Sequence, residues 1–160
     1  MYYEDEREKK INRILMIAIF IMLAIILLTS LFYLKATNPY RQARNEAVKI
    51  ASQYGKLDSV DDFYWFNRKK TYFSVGGTDD AGKKKYVIIA QKGGKVKVVN
   101  QKDGFNEVEI RQVFNKLHPD EAILKVNLGQ YESRIAWEVV TEQNQYYLFD
   151  FETGKAIQKV

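Results

Sequence analysis

The residues of this chain that could carry out acid–base chemistry are few, and the first candidates are two carboxylates near its end. Asp150 and Glu152 stand two positions apart in "YYLFDFETGKAI", residues 146–157. A pair of catalytic carboxylates needs an environment that drives their two pKa values apart. Residues two apart on a strand point to one face, while Phe149 and Phe151 would point to the other. We therefore expect the two acids to lie on a solvated strand face.

The other residue types that carry chemistry do not combine into a recognisable site. The single histidine, His118, precedes Pro119 at a predicted helix end, and the chain has no cysteine, so we expect no transition-metal cluster. "VGGTDDAGKKK", residues 75–85, lacks the spacing of a phosphate-binding loop. Its acids, Asp79 and Asp80, lack the alternating acids and the terminal Glu of a calcium loop. No serine has a base near it in the pattern, so we predict no catalytic, cofactor or metal site and no enzyme.

The longest apolar run is "ILMIAIFIMLAIILLTSLFYL", residues 14–34, which holds no charge, proline or glycine. As a helix it would be about 30 Å long, the thickness of a bilayer core. A buried soluble helix is the alternative, but such a helix is rarely apolar on every face. The following residues, "FYLKATNPY", are bulky where a signal-peptide cleavage site needs small side chains. We predict a retained transmembrane anchor over 14–34.

Charge on either side of this run predicts its orientation. The chain carries a net charge of +5, which favours anionic surroundings. Basic residues occur on both sides, and those before the run are bunched against its start: Arg7, Lys9, Lys10 and Arg13 before it, and Lys35, Arg41, Arg44 and Lys49 after it. The positive-inside rule then predicts a cytoplasmic tail over 1–13 and a cell-membrane protein whose domain lies on the extracytoplasmic side.

After the span, the pattern alternates between helix and strand signals. Asn38 and Pro39 are typical of a helix start, and Gly55 of a helix end. Short segments rich in β-branched and aromatic residues follow. A second helix is predicted after Asn106 and ends before Pro119. The predicted strands, in order, are "DDFYWFN", "TYFSVGG", "KKYVIIAQ" and "KVKVVN" before the second helix, and "AILKVNLGQY", "IAWEVVTE", "YYLFDF" and "KAIQKV" after it.

The two halves of this region repeat one another. Residues 86–96 align without a gap to 146–156, and 72–75 match 136–139. Asp150 then aligns with Ala90, an apolar residue, which again argues against a carboxylate site. We predict an α+β fold in which two helix-plus-antiparallel-sheet units, 35–104 and 105–160, follow the anchor, since units of this size usually dock on each other. The predicted docking residues are Tyr72, Val75, Ile89, Trp137, Val139 and Phe149.

One surface stretch is a candidate binding site. "DDFYWFNRKKTYF", residues 61–73, combines aromatic side chains with three consecutive bases. An exposed aromatic–basic patch is typical of a protein interface. The alternative is a core position for Trp65 beside a solvated turn. The predicted partner-binding residues, which we call the aromatic–basic patch, are Phe63, Trp65, Arg68, Lys69 and Lys70. Nucleic acid is not expected, because an anchored exported domain seldom meets it.

The layout of a short tail, one span and two tandem helix-plus-sheet units resembles the TseB-like (YpmB-like) proteins of Gram-positive bacteria, described as cell wall elongation regulators. The resemblance covers essentially the whole chain. It rests on aromatic and turn residues in "WEVVTEQNQYYLFDFETGKAI" and on a weaker echo in the first half: Trp137, Glu138, Val139, Tyr146, Tyr147, Asp150, Gly154 and Lys155, then Tyr72, Phe73, Val75, Tyr86, Gly94 and Lys95.

This resemblance implies a pair of cystatin-like, PepSY-like units. It also implies a membrane-anchored, non-catalytic regulator of peptidoglycan synthesis that binds a penicillin-binding protein. The family supplies no catalytic residues. Because PepSY-like units elsewhere are associated with peptidase inhibition, the alternative is an inhibitor of a secreted or membrane-associated peptidase. Against that alternative, the sequence offers only the polar loop "GTDDAGKK" as an exposed insertion.

Overall fold

The computed structural model describes residues 2–159, without the side chains of residues 2–5, 36, 37, 158 and 159. It has an α+β fold, as the sequence predicts. The helices are α1 (Tyr2–Gly55) and α2 (Glu107–Leu117), and a 3-10 turn spans Gln101–Asp103. The strands are β1 (Leu57–Asn67), β2 (Thr71–Asp79), β3 (Lys84–Ala90), β4 (Val96–Asn100), β5 (Ile123–Tyr131), β6 (Arg134–Thr141), β7 (Tyr146–Asp150) and β8 (Ala156–Lys159). The chain divides into two compact units, Met1–Gln42 and Ala43–Val160.

Helix α1 corrects one predicted boundary. The sequence predicts a new helix starting at Asn38, but α1 runs through this position with Pro39 inside it. Proline removes one N–H, the donor for the carbonyl of Lys35, at a cost of about 3 kcal/mol. The segments on both sides are rich in Ala, Leu, Arg, Gln and Glu, which are strong helix formers. Their combined preference explains why a single missing hydrogen bond does not end the helix.

Within the first unit, the apolar run of α1 is exposed along its length, Phe32 by 77%. By length and composition, α1 is long and apolar enough to cross a membrane, and none of its most apolar stretch is buried. The hydroxyl of Thr29 donates to the carbonyl of Ile25 at 2.8 Å. This hydroxyl therefore has a partner within the helix.

In the second unit, strands β1 to β4 form an antiparallel sheet in the order β1-β2-β3-β4. One face of this first sheet packs under the last turns of α1. Ala47 and Ala51 of α1 are buried against Val75, Val87 and Ile89 of the sheet. Their small side chains let the helix come close to the strands.

Strands β5 to β8 form a second antiparallel sheet in the order β5-β6-β7-β8. Helix α2 covers one of its faces with Ile110 and Phe114, both fully buried. The helix starts with a capping box, in which Asn106 and Glu109 each accept a hydrogen bond from the other's backbone N–H. Such a box satisfies two N–H groups that a helix start leaves free. The predicted start of this helix is therefore confirmed.

The two sheets repeat one another in register. Ala90 pairs with Tyr72 in the first sheet, and the aligned Asp150 pairs with Ala136 in the second. The hairpin that follows closes in the same way in both: the N–H of Ala90 donates to Lys95 O, and that of Asp150 to Lys155 O, each at 2.9 Å. The aligned glycines, Gly94 and Gly154, both have positive φ, 60° and 65°. The internal repeat predicted from the sequence is thus confirmed.

A shared core joins the first sheet, α2 and the second sheet. Four of the six predicted docking residues belong to it: Tyr72, Trp137, Val139 and Phe149. The other two, Val75 and Ile89, lie on the opposite face of the first sheet, under α1. Val75 is three positions from Tyr72, so strand alternation puts the two on opposite faces. Division into units 35–104 and 105–160 stays a prediction.

Candidate functional site

The structure distributes the aromatic–basic patch over two faces of the first sheet. Phe63 and Trp65 lie on the face opposite to Tyr64 and Phe66, because side chains alternate along β1. Both are half-buried. Their rings pack on Phe73, with centroids 6.1 Å away for Phe63 and 5.1 Å for Trp65. Trp65 is therefore neither a fully buried core residue nor a fully exposed contact residue.

The side chain of Arg68 points away from the rest of the patch and contacts the second sheet. Its Nε donates to Oε2 of Glu138, a residue only 3% exposed. The other carboxylate oxygen of Glu138 accepts a hydrogen bond from Asn127 Nδ2 at 2.9 Å. The Arg68 guanidinium also lies 4.3 Å from the ring centroid of Tyr146. Arg68 therefore connects the β1–β2 turn to β6, and its role in partner binding stays a prediction.

Lys69 and Lys70 are exposed and lie beside two cavities at one end of the first sheet. A cavity of about 520 Å³ is lined by Lys69, Lys70, Thr71, Ala90, Gln91, Lys92 and Gly93. A second, of about 420 Å³, shares Lys70, Ala90, Lys92 and Gly93 and adds Tyr72, Ile88, Lys95, Val96, Lys97 and Gln130. The β1–β2 and β3–β4 turns meet here, because alternate turns of an antiparallel meander lie at the same end.

Of the two carboxylates near the chain end, Asp150 has a structural role in the turn after β7. Strand β7 ends at Asp150, so Glu152 lies in the following turn and not on the strand, which corrects the prediction. Asp150 Oδ1 accepts hydrogen bonds from the N–H groups of Glu152 at 3.1 Å and of Thr153 at 2.9 Å. Asp side chains commonly organise turns by such bonds. The acid thus fixes the hairpin turn.

Asp79 has a similar role in the β2–β3 turn. It is 7% exposed, and its Oδ1 accepts from the N–H groups of Ala81 at 3.0 Å and Lys83 at 2.8 Å. Its Oδ2 is paired with Lys85 Nζ at 2.7 Å. The hydrogen bond from Lys85, followed by that from the Lys83 backbone, holds the pKa of Asp79 below its ordinary value. This arrangement is a fixed turn, as the sequence predicts.

A cluster of acids and tyrosines lies where β1 meets α2. The hydroxyl of Tyr64 donates to Glu107 Oε2 at 2.8 Å. Burial, then the negative charge of Glu107, raises the pKa of Tyr64 well above its ordinary range, and burial also raises that of Tyr86. Desolvation, followed by repulsion from Glu107, raises the pKa of Asp62. Glu107 is paired with Arg111 at 2.7 Å, so its charge is shared between a salt bridge and a core tyrosine.

His118 ends α2 and packs between aromatic rings. Its ring lies 4.9 Å from that of Phe114 and 4.4 Å from that of Tyr147. Its Nδ1 is 3.5 Å from Glu121 Oε1. Among residues 2–159, no group of three His, Cys, Asp or Glu side chains is placed to hold a metal ion.

Comparisons with known proteins find similarity to one family. Residues 46–90 match the model of the "cell wall elongation regulator TseB-like domain". Among solved structures, the YpmB protein from Bacillus subtilis is similar, with 27% identity and a TM-score of 0.59 over 72% of this chain and 94% of that one. Both findings support a TseB/YpmB-like family. The predicted resemblance is confirmed. No curated protein sequence matches the chain.

The segment that matches the TseB-like domain runs from the last turns of α1 through β3. It therefore includes all five residues of the aromatic–basic patch. Sequence reasoning missed the partner of Arg68, although Glu138 stands in the stretch that carries the family resemblance. It also missed Lys92, Lys95 and Lys97 as neighbours of Lys70. The available signal was the hairpin register: both turns fall at the same end of the first sheet.

Proposed function

We propose that this chain is a membrane-anchored, extracytoplasmic and non-catalytic regulator of cell wall elongation that acts by binding a penicillin-binding protein. The match of residues 46–90 to the TseB-like regulator domain carries this proposal. A description as a regulator favours a binding role over catalysis. The similarity to YpmB extends the likeness from the matched segment to 72% of the chain.

The apolar run of α1 supports the anchor. Exposed side chains of this size and number would be strongly unfavourable in water, whereas a bilayer solvates them. Inside a bilayer every polar group needs a partner in the protein. The Thr29 hydroxyl has one in the carbonyl of Ile25. A single span would hold the regulator at the membrane surface, where an anchored enzyme of wall synthesis could meet it.

The half-buried rings of Phe63 and Trp65 support a protein-binding surface. They form one aromatic group with Phe73 on the first sheet. Aromatic side chains that are held in place and partly accessible are typical of the energetically dominant residues of interfaces. Lys69 and Lys70, in the next turn, would mostly affect the encounter rate with a charged partner. The aromatic–basic patch, without Arg68, is therefore the proposed contact surface.

The partner can be tested by crosslinking in intact cells. A photoreactive amino acid is placed at Asn67, an exposed residue between Trp65 and Lys69, and crosslinked material is treated with fluorescent penicillin. Since penicillin acylates its target proteins covalently, a captured penicillin-binding protein will carry the dye. We expect a fluorescent, light-dependent species larger than the free chain.

The same photoreactive residue at Gln143, in the β6–β7 turn, is the matched control and should give much less of this species. Trp65→Ala and the pair Lys69→Ser, Lys70→Ser should reduce it in a protein that still melts cooperatively. Light-dependent products without fluorescence would contradict a penicillin-binding partner. Capture of a secreted peptidase would instead favour the inhibitor function.

A further inference from the structure

A group of lysines lines the two adjoining cavities at the end of the first sheet. We define the lysine cleft by Lys69, Lys70, Lys92, Lys95 and Lys97. The lysines come from two turns and from β4. Because these elements are held by the hydrogen bonds of the sheet, the cleft does not need to be assembled by a ligand. The N–H of Gln91 donates to Thr71 O at 3.0 Å and ties the two turns together.

The positive charge of the lysine cleft is not compensated. Among the residues whose side chains are described, no Asp or Glu lines either cavity. Within the described residues, the ion pairs of the domain involve Arg68, Lys85, Arg111, His118 and Arg134, and none of the cleft lysines. A cleft that carries charge of one sign focuses the field and raises the local concentration of counter-ions. The electrostatics therefore favour an anionic ligand with several charges.

The chemistry of the side chains favours phosphate over carboxylate. Arginine forms planar, bidentate contacts that match a carboxylate, whereas lysine acts as a point charge and is a common phosphate binder. All the cations that line the cleft are lysines. Arg68, the arginine of the β1–β2 turn, is paired with Glu138.

The shape favours an extended chain over a single small ion. The two cavities, of about 520 Å³ and about 420 Å³, adjoin, and exposed lysines are spread along both. Tyr72 and Ile88, which line the second cavity, are only 7% and 1% exposed. Among the described residues, the aromatic side chain that lines the cleft is the buried Tyr72. Tyr131, whose ring centroid lies 5.9 Å from Lys69 Nζ, is half-buried and lines neither cavity. The cleft lining therefore offers no exposed ring on which a nucleic acid base could stack. A flexible polymer of phosphate diesters without aromatic groups fits these features better than a nucleic acid does.

We propose that the lysine cleft binds a linear polyol-phosphate polymer of the cell envelope through its phosphodiester groups. The envelope location rests on the extracytoplasmic topology proposed above. The binding itself does not depend on a penicillin-binding protein and can be measured without one. A regulator held in this way would contact both the membrane-bound machinery and an anionic component of the wall.

The test uses the full chain in neutral detergent micelles and a synthetic oligomer of glycerol phosphate, with calorimetric titration. The cleft variant carries Lys70→Ser, Lys92→Ser and Lys95→Ser. The control variant carries Lys83→Ser, Lys102→Ser and Lys116→Ser, which remove the same charge from exposed positions that do not line the cleft. We expect the cleft variant to bind about tenfold more weakly or worse, because counter-ion release scales with the number of contacts, and the control to bind nearly as the wild type.

Four further probes distinguish the class of anion. Inorganic phosphate, polyglutamate and a single-stranded oligothymidylate should each bind more weakly than the glycerol phosphate oligomer, as should vesicles of anionic phospholipid. Equal losses in the cleft and control variants would overturn the proposal, since binding would then depend on net charge alone. Cleft-dependent binding of another probe as tight as that of the oligomer would also overturn it. Unchanged melting curves of both variants ensure that a loss reflects the cleft.

Discussion

At the scale of single residues, Arg68 belongs to a stretch that is typical of an exposed turn, yet it pairs with a buried carboxylate. The stretch is "NRKK", and the carboxylate is that of Glu138. Glu138 also accepts from Asn127, so both of its oxygens have partners. A buried charge is tolerated only when it is paired and hydrogen-bonded. The ion pair therefore constrains which side of the second sheet can face the β1–β2 turn.

This role predicts a difference between Arg68 and its neighbour. Arg68→Met should lower the free energy of unfolding by about 3 kcal/mol, at the lower end for a broken buried pair because Arg68 is partly exposed. Lys69→Met, the matched control, should change it by less than about 0.5 kcal/mol. Chemical denaturation measures both. Adding Glu138→Leu to Arg68→Met should recover part of the loss, and no recovery would mean that the ion pair is not what Arg68 contributes.

A second residue-scale prediction concerns pH. The pKa of Asp79 is lowered in the folded state by Lys85 and by backbone N–H groups. A carboxyl with a lowered folded-state pKa contributes stability above its unfolded pKa, and this contribution is lost as the pH falls through the folded value. Asp79→Asn should therefore lower the melting temperature at pH 7, and the difference from the wild type should shrink below about pH 4. Asp80→Asn, in the same turn but exposed, is the control. A difference that is constant with pH would exclude this linkage.

At the scale of elements, the strands could be predicted from the sequence. Which element packs on each face of the first sheet could not. Period-two alternation and glycine turns indicate the eight strands of residues 2–159 to within a few residues, and the repeat indicates which strands of the two halves correspond. However, both faces of the first sheet are apolar: Tyr72 and Val75 are equally suited to a core. The alternation separates them into two faces, but it does not say which face packs on α1 and which on the second half. The mistaken assignment of Val75 and Ile89 follows from this ambiguity.

The same limit applies to the candidate site. The sequence brings Trp65 and the three bases together because they are neighbours in the chain. In the fold, strand alternation places Trp65 on one face of the first sheet, and Arg68 contacts the second sheet. Lys69 and Lys70 lie beside residues of the β3–β4 turn, which come about twenty positions later in the chain. Contacts between distant segments depend on how the sheets dock. Those contacts could not be read from a single local stretch.

Close contact between β5 and the first sheet gives an element-scale prediction. A Cβ added at Gly129 would lie 2.3 Å from Cγ of Phe66, and Ser74 Oγ donates to Leu128 O at 2.7 Å. Gly129→Ala should therefore force the strand and the ring apart and lower the free energy of unfolding by about 1–3 kcal/mol. Lys125→Ala, exposed on the same strand, should have little effect. Phe66→Leu in the Gly129→Ala background should restore part of the stability if the ring is the cause, and strict additivity of the two losses would refute it.

At the scale of the whole molecule, two kinds of surface occur in one chain. The run over 14–34 exposes apolar side chains, and the second unit exposes charged side chains around a buried apolar core. Such a combination is suited to a protein held at a bilayer surface. The lysine cleft and the aromatic–basic patch both belong to the second unit. Lys69 and Lys70 are common to both surfaces, whereas Phe63 and Trp65 belong to the patch alone and Lys92, Lys95 and Lys97 to the cleft alone. The proposed regulator would therefore contact a protein and an anionic polymer through surfaces that overlap only at these two lysines.

Because the chain contains no cysteine, its topology can be tested with single introduced thiols. Glu8→Cys marks the tail before the span, and Gln143→Cys marks the exposed β6–β7 turn. The positive-inside rule predicts a cytoplasmic tail, so a membrane-impermeant maleimide should label the Gln143→Cys protein in intact protoplasts. It should label the Glu8→Cys protein only after the membrane is opened. Both proteins should stay in the membrane fraction at full length, since the run lacks a cleavage site. Labelling in the reverse order would show the opposite orientation, and a shortened, released Gln143→Cys protein would show that the apolar run is removed.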